Sequence, residues 1–211
     1  MKTIHVFENS LDRSDDISLE VVLSCNDKGL IKGEIFDARN DPEYQKIDID
    51  FFSIHNDKKT TIEVKVDFQD KTGNLFLETN SYYHGKDSEK NTLGCFLKTK
   101  ADIMIYHFVY SNMTYFMNRK CLDYIIKPEF YSMYREGDVI NMRNGREVLT
   151  KGRLIPRQWF KENQDKGIKI FTDIMDDNWV ESNKELLQLN SEYWKNREKV
   201  FRQYYRTNEF M

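Results

Sequence analysis

Three cysteines, three prolines and nine glycines in 211 residues leave little room for several kinds of protein. So little Pro and Gly excludes low-complexity linkers. Cys25, Cys95 and Cys121 are odd in number and widely spaced, with no CxxC pair. That pattern argues for a reducing compartment and against a zinc site. His5, His55, His84 and His107 are equally scattered, so no zinc or haem pattern forms from them. No apolar run approaches the roughly 18 residues of a membrane span. The opening MKTIHVFENSLDRSDD lacks the apolar stretch of a secretory signal. The expectation is a cytoplasmic protein whose length suits one sizeable domain.

The most informative stretch is Ile47 to Lys65, IDIDFFSIHNDKKTTIEVK. From Thr61 to Phe68 polar and apolar residues alternate strictly, which predicts a half-buried strand. Glu63 and Lys65 then point the same way. A turn centred between Asp57 and Lys58 would pair this strand with the preceding one, placing Asp50 across from Lys65 and diagonal to Glu63. Two carboxylates and an ammonium on one patch of sheet suit a divalent metal. Mg2+ prefers hard oxygens, with Mn2+ able to substitute. The Val64 carbonyl could add a third protein oxygen. Such an ion can activate water and polarise a phosphoryl group, while Lys65 orients water or neutralises developing charge.

Asp50 followed by Glu63-Val64-Lys65 on the next strand resembles the PD-(D/E)xK nuclease superfamily, the restriction-endonuclease-like fold. Two later blocks extend the likeness: Lys71-Thr72-Gly73-Asn74-Leu75-Phe76-Leu77-Glu78 and Lys98-Thr99-Lys100-Ala101-Asp102. The three blocks in this order are similar to small phage and mobile-element nucleases, over about Gly29 to Met117. The chain departs from the pattern in lacking Pro before the Asp, and it offers Asp48 as well as Asp50. The predicted hairpin favours Asp50, because Asp48 would face Asp67; Asp48 stays in reserve.

The resemblance implies an α/β fold of α+β type, with a central mixed sheet flanked by helices and a C-terminal helical extension. Residues 1–130 would form the nuclease core. Residues 131–211 would carry a basic hairpin and a long helix, packed on the core as one domain. A helix from about Asp27 to Arg39 would aim Glu34 into the site. Leu75 to Thr79 would be the strand beside the catalytic one. Asn74 and Glu78 on it would hydrogen-bond Lys65 or water beside the metal.

The net charge of −3 conceals a strong asymmetry. Residues 1–97 carry 12 basic and 19 acidic side chains, while residues 98–161 carry 12 and 6. Clustered Arg and Lys supply nucleic-acid affinity through phosphate contacts. Lys98, Lys100, Arg143, Arg146, Lys151 and Arg153 are the candidate contacts. Tyr131, Tyr134, Trp159 and Phe160, interleaved with the basic residues, could stack on unpaired bases. The expected activity is a metal-dependent endonuclease on duplex or branched DNA, such as junction resolution, with RNA also open. A catalytically silent nucleic-acid-binding or protein-interaction module on the same scaffold is the alternative.

Elsewhere the readings are local. Ile17 to Leu23 is a strand or a helix start. Asn80 to Thr92 reads as a polar loop over the site. Arg119 to Lys127 reads as a helix stopped by Pro128, and Gly137 to Gly152 as a hairpin around Asn144-Gly145. Pro156 marks another helix start. From Glu181 to Arg206, Leu187, Trp194 and Phe201 recur at sevens on a helical stripe, which packs on its own domain or pairs two copies as a homodimer.

Overall fold

The computed structural model describes residues 17–67, 73–83, 91–143, 146–176 and 178–179. They form a mixed α/β fold whose central sheet is flanked by helices. Residues 17–27 are helical (α1). Ile17, Val21, Val22 and Cys25, at helical spacing, are all buried against the sheet. The helix stops at Gly29, whose φ is +70°, and Leu30 N–H donates back to the Cys25 carbonyl at 2.9 Å.

A second left-handed glycine, Gly33 (φ +95°), sends the chain into strand β1 (Glu34–Asp37). A Cβ there would lie 2.0 Å from the Ile54 carbonyl oxygen, so only glycine lets β1 meet its neighbour. The helix expected over 27–39 is therefore a turn and a strand.

Strands β2 (Phe51–His55) and β3 (Lys58–Asp67) form the anticipated hairpin. Between β1 and β2 lies the short helix α2 (Pro42–Gln45), capped by Asp41 accepting from the Glu43 N–H at 2.9 Å, with a loop leading from it into β2. The turn is Asn56-Asp57, both at positive φ (50° and 58°). These residue types tolerate that conformation, and it matches the twist of a two-residue hairpin. The turn thus falls one residue earlier than expected, and the register moves by two. Phe51 pairs with Ile62, and the Asp50 N–H donates to the Ile62 carbonyl at 3.0 Å. Asp50 lies level with Glu63, not Lys65.

Six strands make the first sheet, in the order β1-β2-β3-β6-β7-β10. Strand β6 (Ile103–Phe108) runs parallel to β3, while β7 (Met113–Asn118) and β10 (Ile168–Thr172) continue antiparallel. Asp102 ties β3 to β6 by accepting from the Thr61 N–H and hydroxyl at 2.9 and 2.8 Å.

The connection from β3 to β6 contributes β4 (Asn74–Tyr83), β5 (Asn91–Leu93) and helix α3 (Cys95–Lys98). Strand β4 does not lie beside β3. It belongs to a second sheet, β5-β4-β9-β8, with β8 (Glu136–Arg143) and β9 (Arg146–Pro156) forming the hairpin expected over 137–152. Because β4 continues to Tyr83, the expected loop over 80–92 begins as strand.

The two sheets share a core of Leu75, Leu77 and Ile155 against Met104, Tyr106, Phe108 and Tyr115. Helices α4 (Arg119–Ile125), α5 (Pro128–Tyr131) and α6 (Arg157–Glu162) close that core. Pro156 serves as the N-cap of α6. Strands from both sides of position 130 share sheets, since β9 pairs with β4 and β10 with β7. Among the described residues no helix is long and apolar enough to cross a membrane. The stripe at Leu187, Trp194 and Phe201 lies outside the described residues.

Candidate metal centre

Strand β3 is the floor of the site. Ile62 and Val64 face α1, so alternation turns Glu63, Lys65 and Asp67 toward β4 and α3. A strand expected to have one wet face is instead covered on both, and Glu63 is only 6% exposed. Its Oε2 is buried without a hydrogen-bond partner.

Two aspartates converge on Glu63. The Asp50 carboxylate accepts from the Val64 N–H at 2.9 Å, extending the ladder by a side chain where β2 has ended. The N–H and C=O of one strand residue point to the same edge, so the Val64 carbonyl shares that edge with Asp50. Asp48 does not oppose Asp67. It sits in the loop after α2 at φ +50°, with one oxygen within 4.8 Å of a Glu63 oxygen and of the Cys95 Sγ.

Helix α3 fastens that loop. Lys98 Nζ donates to Asp48 Oδ1 and to the Gln45 carbonyl, each at 2.7 Å, and the Thr99 hydroxyl donates to the Asp48 carbonyl at 2.8 Å. Lys98 is thereby turned inward as a clamp on an acidic residue, not outward at a strand entrance. Lys100 is exposed. The other end of α3 rests on β4: the Gly94 N–H donates to the Thr79 carbonyl at 2.8 Å. A Cβ on Gly94 would stand 2.6 Å from the Glu78 carbonyl carbon and oxygen, so this close approach requires glycine.

Glu78 reaches the site from a strand in the other sheet and forms an ion pair with Lys65. A bulge separates Glu78 from Asn80 in the pairing with β9, a device that re-aims side chains locally. Asn74 is four residues back along β4, about 13 Å away at strand spacing. Glu34 is farther from the chemistry than its expected helix would put it. It is exposed on β1 opposite Ile54, which is paired with Lys59, four residues along β3 from Glu63.

The electrostatics follow from burial. Burial, opposed by the Val64 N–H and reinforced by Asp48, pushes the Asp50 carboxyl up to about 6. Glu63 is raised well above the usual carboxylate range by burial first, then by the charges of Asp50 and Asp48 and by its hydrogen bond with Asp50. Burial lowers the Lys65 ammonium, but Glu78, Cys95 and Asp67 outweigh it, so the amine is more firmly protonated than an ordinary lysine. Carboxylates that repel one another around a partnerless buried oxygen form a set suited to a divalent cation, whose charge reverses that repulsion.

Two participants escape the sequence reading. Cys95, dismissed with the scattered cysteines, stands beside Asp48 and Glu63. Its signal was the interval to Lys98: three residues, one helical turn, so the element that brings Lys98 to Asp48 also brings Cys95. Arg39, ion-paired with Asp37 at 2.5 Å, lies 4.9 Å over the Phe51 ring and lowers the Asp50 carboxyl electrostatically.

The expected DNA-contacting residues are differently placed. Arg153 and Lys151 reach Glu136 at 3.3 and 3.4 Å. Arg143 and Arg146 face one another in the β8–β9 register, and their side chains lie outside the described ones. Phe160 is fully buried, with Tyr131, Tyr134 and Trp159 packed against the same core. Phe160 is therefore withdrawn from any stacking surface, while Tyr131, Tyr134 and Trp159 are half-buried. Comparison with protein-family models, with characterised proteins and with solved structures finds no match for this chain.

Proposed function

We propose that this protein is a metal-dependent phosphodiesterase acting on DNA, an endonuclease of PD-(D/E)xK type with a restriction-endonuclease-like core. The observation that carries the reading is the buried Glu63, with a partnerless Oε2, set between Asp50 and Asp48 one residue pair from Lys65. The mixed sheet, with its acidic hairpin strand paired in parallel to the strand after the crossover, is compatible with that core.

Held by Glu63, Asp50, Asp48 and the Val64 carbonyl, Mg2+ or Mn2+ would supply charge neutralisation at phosphate and acidify water. The chain's own groups do the rest. Lys65, kept protonated by Glu78, acts as a fixed cation for developing negative charge and not as a base. Lys98 holds Asp48 in place. Lys100, exposed just past α3, offers a phosphate contact. The acidic pocket and the basic segment 98–161 divide the work between ion and polyanion.

The test is a panel of labelled single strands, duplex, flap, four-way junction and RNA, with Mg2+, Mn2+ or EDTA, beside Asp50→Asn. Cutting that requires the ion and vanishes in the variant supports the reading, and the preferred substrate identifies its branch. Binding without cutting under every ion would refute it in favour of a silent nucleic-acid-binding module.

A further inference from the structure

Asp48, Glu63 and Cys95 arrive from three separate parts of the chain: the loop after α2, the middle of β3 and the first turn of α3. One donor atom from each lies within 4.8 Å of the other two. An ion about 2.3 Å from sulfur and about 2.0–2.2 Å from each oxygen needs those donors within roughly 4.4 Å of each other, so small side-chain adjustments suffice. Independently, Glu63 is 6% exposed and its Oε2 has no hydrogen-bond partner. The residue that carries this atom is a member of the same cluster.

An ordinary buried cysteine behaves as a small hydrophobe among apolar neighbours. Cys95 is only half-buried and its neighbours include Glu78, Lys65, Glu63 and Asp48. Lys98 at the end of the same short helix and Thr99, its C-cap, are spent fastening Asp48, and Gly94 lets the helix seat directly on β4. The whole of α3 is thus arranged to present one sulfur and one positioned carboxylate to Glu63.

We propose that Asp48, Glu63 and Cys95 form a thiolate-containing metal site that takes a thiophilic divalent ion of the Zn2+ class in preference to Mg2+. Thiolate selects Zn2+ and Co2+, whereas Mg2+ is an oxygen-seeking ion. As the metal–sulfur bond forms, the thiol proton passes to solvent; no electron is transferred. The site shares Glu63 and Asp48 with the hard-oxygen position beside Asp50. This deepens the phosphodiesterase reading and rests on it only for the belief that the pocket serves catalysis.

The experiment strips the full chain with chelator and titrates it with Co2+, reading sulfur-to-cobalt charge-transfer absorption in the near ultraviolet. Wild type should show the band. Cys95→Ser should lose it and bind Zn2+ at least about ten-fold more weakly, since losing even a group that only supports a ligand costs that much. Glu63→Gln should bind more weakly but keep the band on the Co2+ that does bind. On unmutated protein, Zn2+ but not Mg2+ should protect Cys95 from alkylation, read by peptide mass spectrometry.

A band unchanged in Cys95→Ser, or alkylation indifferent to Zn2+, overturns the proposal. Ion-dependent cleavage with no sulfur band overturns the cysteine assignment and leaves the phosphodiesterase reading standing. A band lost in Cys95→Ser but no cleavage under any ion supports the metal site and sinks the phosphodiesterase.

Discussion

Replacing Asp50 by Asn should stabilise the metal-free protein while removing its response to divalent ions. The amide oxygen of Asn can still accept the Val64 N–H that Asp50 accepts at 2.9 Å, so the local ladder survives. What disappears is a carboxylate whose pKa stands at about 6, against about 3.9 in an unfolded chain. Two units at about 1.36 kcal/mol each amount to about 3 kcal/mol of ionisation cost at neutral pH. Solvent at the partly open side of the pocket reduces this to about 2 kcal/mol.

The folded state binds the proton more tightly than the unfolded state, so the cost is fully present above pH 6. It shrinks as pH falls through that value and is gone near pH 4. Urea unfolding in EDTA should therefore show the variant ahead by about 2 kcal/mol at pH 7.5 and level with wild type at pH 4. Added Mn2+ at 100 times its dissociation constant should stabilise wild type by about 2.7 kcal/mol and leave the variant nearly unmoved. An Asp50→Asn protein that is less stable in EDTA, or a difference that ignores pH, would refute the account of a pocket strained by its own carboxylates.

Three other outcomes follow from particular contacts. Lys65→Met should abolish cleavage and also cost about 2 kcal/mol, because Glu78, whose side chain is 14% exposed, loses its cation; adding Glu78→Gln should restore the unfolding midpoint in urea but not the activity. Gly94→Ala should cost about 1–3 kcal/mol by forcing α3 off the Glu78 backbone, and calorimetric metal titration should show weaker binding at the displaced Cys95 and Asp48. His107 is fully buried with Nδ1 2.8 Å from the Thr114 hydroxyl, and burial lowers its pKa to about 4. The unfolded chain protonates near 6.5, so the imidazole's contribution should cost stability about 3 kcal/mol as pH drops from 6.5 to 4; comparing wild type with His107→Gln cancels the opposing trend of the raised Asp50 and Glu63 carboxyls, and a difference between the two that ignores pH would contradict the buried neutral imidazole.

Local pattern was enough to determine much of this molecule. Strict alternation marks β3, Asn144-Gly145 marks the hairpin that β8 and β9 form around it, and Pro128 ends the helix that begins at Arg119. Each depends on neighbours within a few residues, where backbone preference and side-chain period act directly. Glu63 and Lys65 were legible for the same reason: period two puts them on one face wherever the strand lies.

Tertiary structure decided the rest. The shift of one residue in the hairpin turn, between Asn56-Asp57 and Asp57-Lys58, changed which residue meets Glu63, because register in a hairpin moves by two for each such step. Leu75 and Leu77 suit any buried strand, so only packing against Met104 and Tyr106 puts β4 in the second sheet. Lys98 looks like a phosphate contact until Asp48, 50 positions earlier, is brought within 2.7 Å. Cys95 has no metal-ligand spacing in the sequence, since its partners at Asp48 and Glu63 are joined to it by chain folding alone. A donor set assembled from distant elements leaves no period to read; it exists only once β3, β4 and α3 have packed around the same buried carboxylate.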